Sequence, residues 1–380
     1  MEETAQPAAA GVAMNKPEKL PNRRLRLAAD IGGTFTDVAA FDERTSRLLL
    51  GKTLSTPRHL VEGISEGAGK SGARFADASI FLHGSTVAIN TMLERNGAKA
   101  ALITTAGFRD VYEIDAYNLY FRKHDPLVPR SRRFEVNERL TAEGDVHQPL
   151  DEASVHAVCD RLIEIGVDAA GIMLLHSYRN PTHEIRVREI VRERLPQAFV
   201  SASHELSQEY REFERCSTVL ANAYVGPRVR DYIQEIDGHL KQADFDGSFL
   251  LVQSTGGLYE SAQAQQQCIR MLESGPAAGV VGTQALCHAM GLGEAIAFDM
   301  GGTTAKAGVI YDGHALTTSL ALVGGYERAL PVQMAMIDIF EVGTGGGSIA
   351  WLDEGGALHV GPRSAGAEPG PACYGRGGEQ

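Results

Sequence analysis

Two stretches carry residue types suited to gripping phosphate. They are Ala29-Asp30-Ile31-Gly32-Gly33-Thr34-Phe35-Thr36-Asp37 and Phe298-Asp299-Met300-Gly301-Gly302-Thr303-Thr304-Ala305-Lys306. Each places Asp-x-Gly-Gly-Thr between two short apolar runs, the pattern of a strand, a tight turn and a second strand. Glycine lets the backbone come close to phosphate oxygens, and successive N–H groups form an anion-binding concavity. An Asp at the end of the first strand can hold Mg²⁺ directly or through water, because that ion takes one or two carboxylates plus phosphates. One Gly-Gly hairpin is ordinarily just a tight turn. Two copies of one pattern point to two related half-domains whose hairpins face each other across a nucleotide.

The elements that must position these turns are legible along the chain. Strands are expected at 25–31, 36–42 and 47–54, joined as antiparallel hairpins with a turn over 42–46. Pro57 should open a helix to about position 68. A strand over 80–84 should end in a helix cap at Ser85 or Thr86, with the helix stopped by Asn96-Gly97. From 99 to 203 strand and helix patterns alternate, with an Asp-capped amphipathic helix over 151–165, which predicts an α/β sheet with mostly parallel neighbours. Helical spacing over 210–224 is expected to break at Gly226-Pro227 and resume to about Lys241. Arg211, Glu212, Glu214 and Arg215 read most simply as a solvated helix face. Ser274 should cap a helix with small residues along one face, ending near Gly291 just before the second Asp-x-Gly-Gly-Thr turn. The glycine-rich tail from Gly343 reads as an ordered, irregular loop that lies against something rather than as a linker.

Composition bounds the reading. The chain has 380 residues, 43% hydrophobic and 22% charged, so a sizeable core and two or three domains are expected. A formal net charge of −12 argues against a general nucleic-acid or anionic-membrane surface. The five cysteines (159, 216, 268, 287 and 373) lack CxxC spacing, which fits free thiols in a reducing compartment and gives no zinc site. No apolar run is long enough to span a membrane. Residues 1–24 lack the apolar core of a signal peptide and read as a disordered leader, which makes the cytoplasm the expected location.

In order, a small-residue helix, a strand and an Asp-x-Gly-Gly-Thr hairpin resemble the junction in the actin, sugar-kinase and heat-shock ATPase superfamily. Within it, several motifs resemble the ATP-dependent hydantoinase/5-oxoprolinase family, hydantoinase A type subunit. They are the first hairpin, His83-Gly84-Ser85-Thr86-Val87-Ala88-Ile89-Asn90, Leu174-Leu175-His176-Ser177-Tyr178, Ser274-Gly275-Pro276-Ala277-Ala278-Gly279-Val280-Val281-Gly282, the second hairpin, and the stretch from Gly345 to Gly375. Many members have Asp where this chain has Lys306, which marks a subfamily. The resemblance implies two ribonuclease-H-like halves closing on ATP. The N-terminal region would be 25–205 and the hydantoinase A region 206–380. Residues 295–380 are mostly loop and cannot cover a sheet on both faces, so the second half is expected to be incomplete.

The resemblance also implies the chemistry. ATP would phosphorylate the amide oxygen of a small cyclic substrate (a hydantoin, 5-oxoproline or related lactam), and water would then open the ring, with a hydantoinase B type subunit as partner in an oligomer. Asp30 and Asp299 would organise Mg²⁺, and Asp37 is either a base or a salt-bridged loop carboxylate. Gly32, Gly33, Gly301 and Gly302 would offer backbone donors to phosphate, and Thr34, Thr36, Thr303 and Thr304 hydroxyls. Lys306 either reaches phosphate or lines a strand edge. His83 either orients substrate or is a capping or packed histidine, Asn90 is placed with it in a substrate or nucleotide loop, and Gly345, Gly346 and Gly347 are placed facing nucleotide or substrate. The alternatives are the ATP-consuming subunit of an acetone- or acetophenone-type carboxylase, or a non-catalytic interaction module.

Overall fold

The computed structural model describes residues 25–32, 34–55, 60–113, 126–302, 304–323, 330–366, 369–375 and 377–379. Gly33, Pro57 and Thr303 therefore lie outside the described residues. Strands β1 (Leu25–Ile31), β2 (Phe35–Asp42) and β3 (Arg47–Leu54) form an antiparallel meander, and α1 (Leu60–Ser71) packs against β2 and β3. Next, β4 (Ala78–Ser85) joins the other side of β1 in parallel and leads into α2 (Val87–Leu93). Thr86 stands at the cap position of α2 without a side-chain capping bond, and the Ser85 hydroxyl accepts from Val87 N at 3.2 Å instead.

A second sheet is wholly parallel, as the alternating pattern implies. It contains β5 (Ala100–Thr105) and β6 (Arg133–Val136), followed by a small ribbon of β7 (Arg139–Leu140) and β8 (Val146–Gln148). Then come α3 (Glu152–Ile165), β9 (Ala169–Met173), α4 (Thr182–Arg194) and β10 (Phe199–Ala202), in the sheet order β10-β9-β5-β6. Asp151 caps α3 by accepting from Ala153 N, and Gly166 ends it in the left-handed conformation.

The expected break at Gly226-Pro227 does not occur. Helix α5 (Glu212–Gln242) runs unbroken through Pro227. Its buried face, from Cys216 to Leu240, joins the main core, and that burial outweighs a lost backbone bond that costs about 3 kcal/mol. Gly226 fits because the Phe199 ring lies where a side chain would stand: a Cβ there would be 2.4 Å from Phe199 Cε1. The solvated-face reading of this region also fails for Arg215, which is fully buried. Its guanidinium donates to Ser177 and Ser203, whose hydroxyls donate in turn to the buried Glu184. A buried cation needs such partners, and here they lock the ends of β9 and β10 to α5.

After α5, β11 (Ser248–Val252) pairs in parallel with β4, and β12 (Leu258–Glu260) closes that edge, giving a six-stranded sheet in the order β12-β11-β4-β1-β2-β3. The short α6 (Ser261–Ala264) and the long α7 (Ser274–Met290) lead to the second hairpin, β13 (Ala295–Met300) and β14 (Ala305–Tyr311). Beyond it lie β15 (His314–Ala315), the ribbon β16 (Thr317–Val323) with β17 (Leu330–Ile337), then β18 (Ile339–Val342), and the ribbon β19 (Ser348–Leu352) with β20 (Leu358–Ser364).

One buried cluster takes side chains from both sides of the expected boundary at 205/206. It contains Leu27, Phe81 and Val219, and also Val332 and Met334 of β17. Gln333 pins that ribbon in place: its backbone N donates to the Thr218 hydroxyl at 2.7 Å, and its amide reaches Ser207 and Glu209. The sheet of β13, β14 and β18 buries one face on α7 and leaves Ile296, Phe298, Met300, Phe340 and Val342 exposed.

Candidate functional site

The two Asp-x-Gly-Gly-Thr turns are copies in geometry as well as in sequence. Gly32 N donates to Phe35 O at 2.9 Å, and Gly301 N donates to Thr304 O at 3.0 Å. Asp30 stands opposite Asp37 across β1 and β2, and Asp37 opposite Lys52 on β3. In the second copy Asp299 stands opposite Lys306, and Lys306 opposite Glu341 on β18. The same three-strand row thus recurs with the charges of its second and third positions exchanged.

The turns touch. Gly302 lies so close to Thr34 that a Cβ on it would be 2.3 Å from Thr34 Oγ1. No side chain larger than hydrogen fits there without moving the first turn. Beside this contact lies a cleft of about 690 Å³ lined by Asp30, Asp37 and Asp299, by Lys52, and by the start of α7 at Gly275, Pro276, Ala278 and Gly279.

Asp30 sits at the centre. A Cβ on Gly84 would be 2.9 Å from Asp30 Oδ1, and one on Gly275 would be 2.8 Å from it. The carboxylate is therefore seated against two backbones that only glycine allows this near. Asp30 opens onto the solvent of the cleft, yet protein atoms crowd its other sides. That crowding raises its pKa to about 6, helped by the charges of Asp299 and Asp37 and opposed by Lys306 and Lys52. Ser274, expected as a helix cap, does something else. Glu273 holds the cap position, and the Ser274 hydroxyl accepts from Ser85 N and donates to Ser85 O, both at 3.0 Å. This pair fixes Gly275 against Asp30.

Several expected donors are spent inside the protein. The N–H groups of Gly32 and Gly301 close their own turns, so they do not point at a ligand. Thr36 is buried with its hydroxyl 3.1 Å from that of Ser55, which donates to Gly32 O at 2.7 Å. Thr34 is buried too, at the contact with Gly302. Gly346 and Gly347 donate to the carbonyls of Gly301 and Gly302 at 2.9 and 2.7 Å, and Gly345 donates to Ser348 Oγ. Gly346 and Gly347 thus brace the second turn, Gly345 closes its own loop, and these three donors are spent inside the protein. The tail after them lies against the first turn as well, where Tyr374 meets the Phe35 ring edge-on at 5.9 Å.

His83 is fully buried and faces away from the cleft. A carbonyl can only accept, so Nδ1 donates to Ala29 O at 3.0 Å and Nε2 accepts from the Tyr232 hydroxyl at 2.6 Å. Burial lowers its pKa to about 4, which keeps the ring neutral. Its placement is that of a packed core histidine. Asn90 is half-buried and donates to the Thr86 hydroxyl at 3.2 Å, beside the end of β1.

Lys306 is held by Glu273 at 2.7 Å, with Glu341 at 3.9 Å. Burial raises the Glu273 pKa, and the neighbouring ammonium opposes that shift. Asp37 forms an exposed bond to Lys52 at 2.8 Å; the salt bridge of one sequence reading is present, but the carboxylate stands within β2 and not on a loop. Sequence reasoning missed Lys52, Ser55, Gly84, Glu273 and Gly275 as parts of the site. The hairpin register alone placed Lys52 opposite Asp37.

Among the described residues no group of three or more His, Cys, Asp or Glu side chains is arranged to hold a metal ion. Asp30 and Asp299 line one cleft, and two carboxylates completed by phosphate oxygens and water are a donor set that Mg²⁺ accepts. No helix among the described residues is long and apolar enough to cross a membrane.

Comparison with known proteins adds the following. Residues 26–195 match the model of the hydantoinase/oxoprolinase N-terminal region, and residues 215–380 match that of hydantoinase/oxoprolinase. An uncharacterised protein of Methanocaldococcus jannaschii is 39% identical, over 93% of this chain and 55% of its own length. The caprolactamase subunit alpha of Pseudomonas jessenii is 35% identical, over 94% of this chain and 53% of its own. The crystal structure of the ATP-dependent caprolactamase from that organism superposes with a TM-score of 0.76, covering 93% of this chain and 53% of that one. A nucleotide-free acetone carboxylase, from work on ATP-dependent acetone carboxylation, superposes with a TM-score of 0.80 at 27% identity, over 94% of this chain and 53% of that one. The chain spans about half the length of these relatives.

Proposed function

Because this chain belongs to the hydantoinase/oxoprolinase family, we propose that it is the ATP-binding subunit of an enzyme that phosphorylates the carbonyl oxygen of a cyclic amide for ring-opening hydrolysis. The observation that carries this reading is the contact between Thr34 and Gly302. It holds two like turns together beside a cleft in which Asp30, Asp37 and Asp299 converge. Phosphoryl transfer depends on positioned phosphates and on charge placed in advance, which is what such a frame offers. The two halves are read as an actin-type ATPase pair, with ATP between the turns.

In this reading Asp30 and Asp299 hold Mg²⁺, which would neutralise charge on the transferring phosphoryl group. Gly84 and Gly275 keep Asp30 in place, and the Ser274–Ser85 pair keeps Gly275 in place. Phosphorylation makes the amide carbon electrophilic; one water would add to it, the ring C–N bond would break as the nitrogen takes a proton, and a second water would hydrolyse the resulting acyl phosphate to carboxylate and inorganic phosphate. A hydantoinase B type partner, cytoplasmic location and an oligomeric enzyme belong to the same proposal.

A carboxylase-type subunit is the second reading, favoured by the superposition on acetone carboxylase. The test is ADP release by the chain and the subunits that copurify with it, with lactams or with acetone and bicarbonate. Lactam-dependent ADP release without bicarbonate supports the first reading, and bicarbonate dependence supports the second. ADP release indifferent to both overturns both.

A further inference from the structure

The glycine-rich tail touches both Asp-x-Gly-Gly-Thr turns. At the second, Gly346 and Gly347 donate to the carbonyls of Gly301 and Gly302. The chain then leaves along β19 and returns along β20, where Ser364 stands opposite Ser348 and Ala365 N donates to Gly347 O at 2.8 Å. The tail is thus tied back to the second turn before it continues. Ala372–Tyr374 then form one tight helical turn, with Tyr374 N donating to Pro371 O at 2.9 Å. It carries the Tyr374 ring to Phe35 at the first turn.

Phe35 has a second partner. Phe35 and Asp37 alternate along β2 and share a face, and Lys52 stands opposite Asp37 on β3. The Lys52 ammonium donates to both oxygens of Asp37 at 2.8 Å and lies 4.8 Å from the centre of the Phe35 ring. An open lysine–carboxylate pair on its own is weakly held. An aromatic face under the ammonium adds a second attraction and narrows the positions it can take. Tyr374 packs on the ring that supplies this face, at an interplanar angle of 62°, and such edge-on pairs have a preferred geometry.

We infer that Tyr374 is a positioning residue for the nucleotide cleft: it fixes Phe35, and Phe35 fixes Lys52 on Asp37. This rests on the ATP reading above and goes beyond it by giving the tail a part in that site. Lys52 and Asp37 line the cleft that Asp30 and Asp299 share. With Lys52 held, Asp37 is paired and adds little net charge beside the nucleotide phosphates. With Lys52 loose, the Asp37 carboxylate repels them. Tyr374 acts through the Phe35 ring and takes no part in the chemistry.

The test is isothermal titration of ATP with Mg²⁺ into the protein and its Tyr374→Leu, Tyr374→Phe, Phe35→Leu and Lys52→Met variants, and into Tyr374→Leu combined with Lys52→Met. Thermal denaturation without nucleotide follows the folding of each. Tyr374→Leu should weaken binding about threefold or more, and Tyr374→Phe, which keeps the ring, should stay within about twofold. Phe35→Leu breaks the same link from the other side and should weaken binding at least as much as Tyr374→Leu. In the Lys52→Met background, Tyr374→Leu should cost nothing further, because the group it positions is gone. A lowered Tm with unchanged affinity in Tyr374→Leu would make the contact one of packing and overturn the inference. An equal loss with and without Lys52 would mean that Tyr374 meets the nucleotide directly, and would overturn it too. Both of those results leave the ATP reading standing. No binding of ATP by the unaltered protein would overturn this inference together with the reading it rests on.

Discussion

Gly302 and Thr34 meet at a distance that leaves no room for a side chain: a Cβ on Gly302 would stand 2.3 Å from Thr34 Oγ1. The two Asp-x-Gly-Gly-Thr turns are separated by most of the chain, yet each fixes the position of the other. Gly302→Ala should therefore push the turns apart and lower kcat/KM for ATP by about tenfold or more, since small misplacements are costly in phosphoryl transfer. The double variant Gly302→Ala with Thr34→Ala removes the obstructing hydroxyl and should recover part of the loss. Strictly additive losses in the double-mutant cycle would argue that the contact does not position the turns.

Asp30 should govern a pH dependence. Its folded pKa, about 6, lies above the ordinary carboxylate value of 3.8. The folded state therefore holds this proton more tightly, and ionisation of Asp30 works against folding. Its cost is absent below about pH 4, grows through pH 6, and is fully present above. Asp30→Asn should raise Tm of the nucleotide-free protein above pH 6 while reducing ATP turnover about a hundredfold or more. Thermal denaturation across pH 4 to 8 reads the first effect. An unchanged Tm profile would mean that Asp30 titrates normally.

His83 acts in the opposite sense. Its folded pKa, about 4, lies below the usual 6.5. Unfolding gains a proton between those values, so this contribution to stability is present above about pH 6.5 and lost as pH falls through 4. His83→Phe should lower Tm at pH 7, because it removes the bonds to Ala29 and Tyr232. KM for ATP and for lactam should stay within about twofold, since the ring faces the core. A large rise in either KM would restore His83 to the substrate site.

Lys306 offers a clean separation of two roles. Its ammonium bonds to the nearly buried Glu273 at 2.7 Å. Lys306→Met leaves that carboxylate without its partner and should cost about 3 kcal/mol of stability. Adding Glu273→Gln should recover most of it. If Lys306 instead serves phosphate, the double variant regains stability but keeps a raised KM for ATP. Chemical denaturation and ATP kinetics on the unaltered protein and these two variants distinguish the outcomes.

Much of this arrangement is legible in the sequence, for physical reasons. The first three strands and the capped helix α3 follow from local alternation, turn residues and the Asp151 cap, all of which act over short range. The repeat of Asp-x-Gly-Gly-Thr exposes the paired turns. What local pattern hides is tertiary. Pro227 reads as a break, yet the burial of α5 overrides it. Arg215 reads as solvated, yet Ser177, Ser203 and Glu184 converge on it from distant elements. Gly345, Gly346 and Gly347 read as ligand-facing, yet Gly346 and Gly347 donate to the carbonyls of the second turn. Gly84 and Gly275 lie inside recognisable motifs, but their purpose is visible only when Asp30 is seated between them.

The central claim is that both turns grip one nucleotide through Asp30 and Asp299. Isothermal titration of ATP with Mg²⁺ into the protein, its Asp30→Asn variant and its Asp299→Asn variant tests it most directly. The account predicts one nucleotide per chain for the unaltered protein and affinity weakened about tenfold or more by either substitution. No binding by the unaltered protein, or binding indifferent to both substitutions, would contradict it.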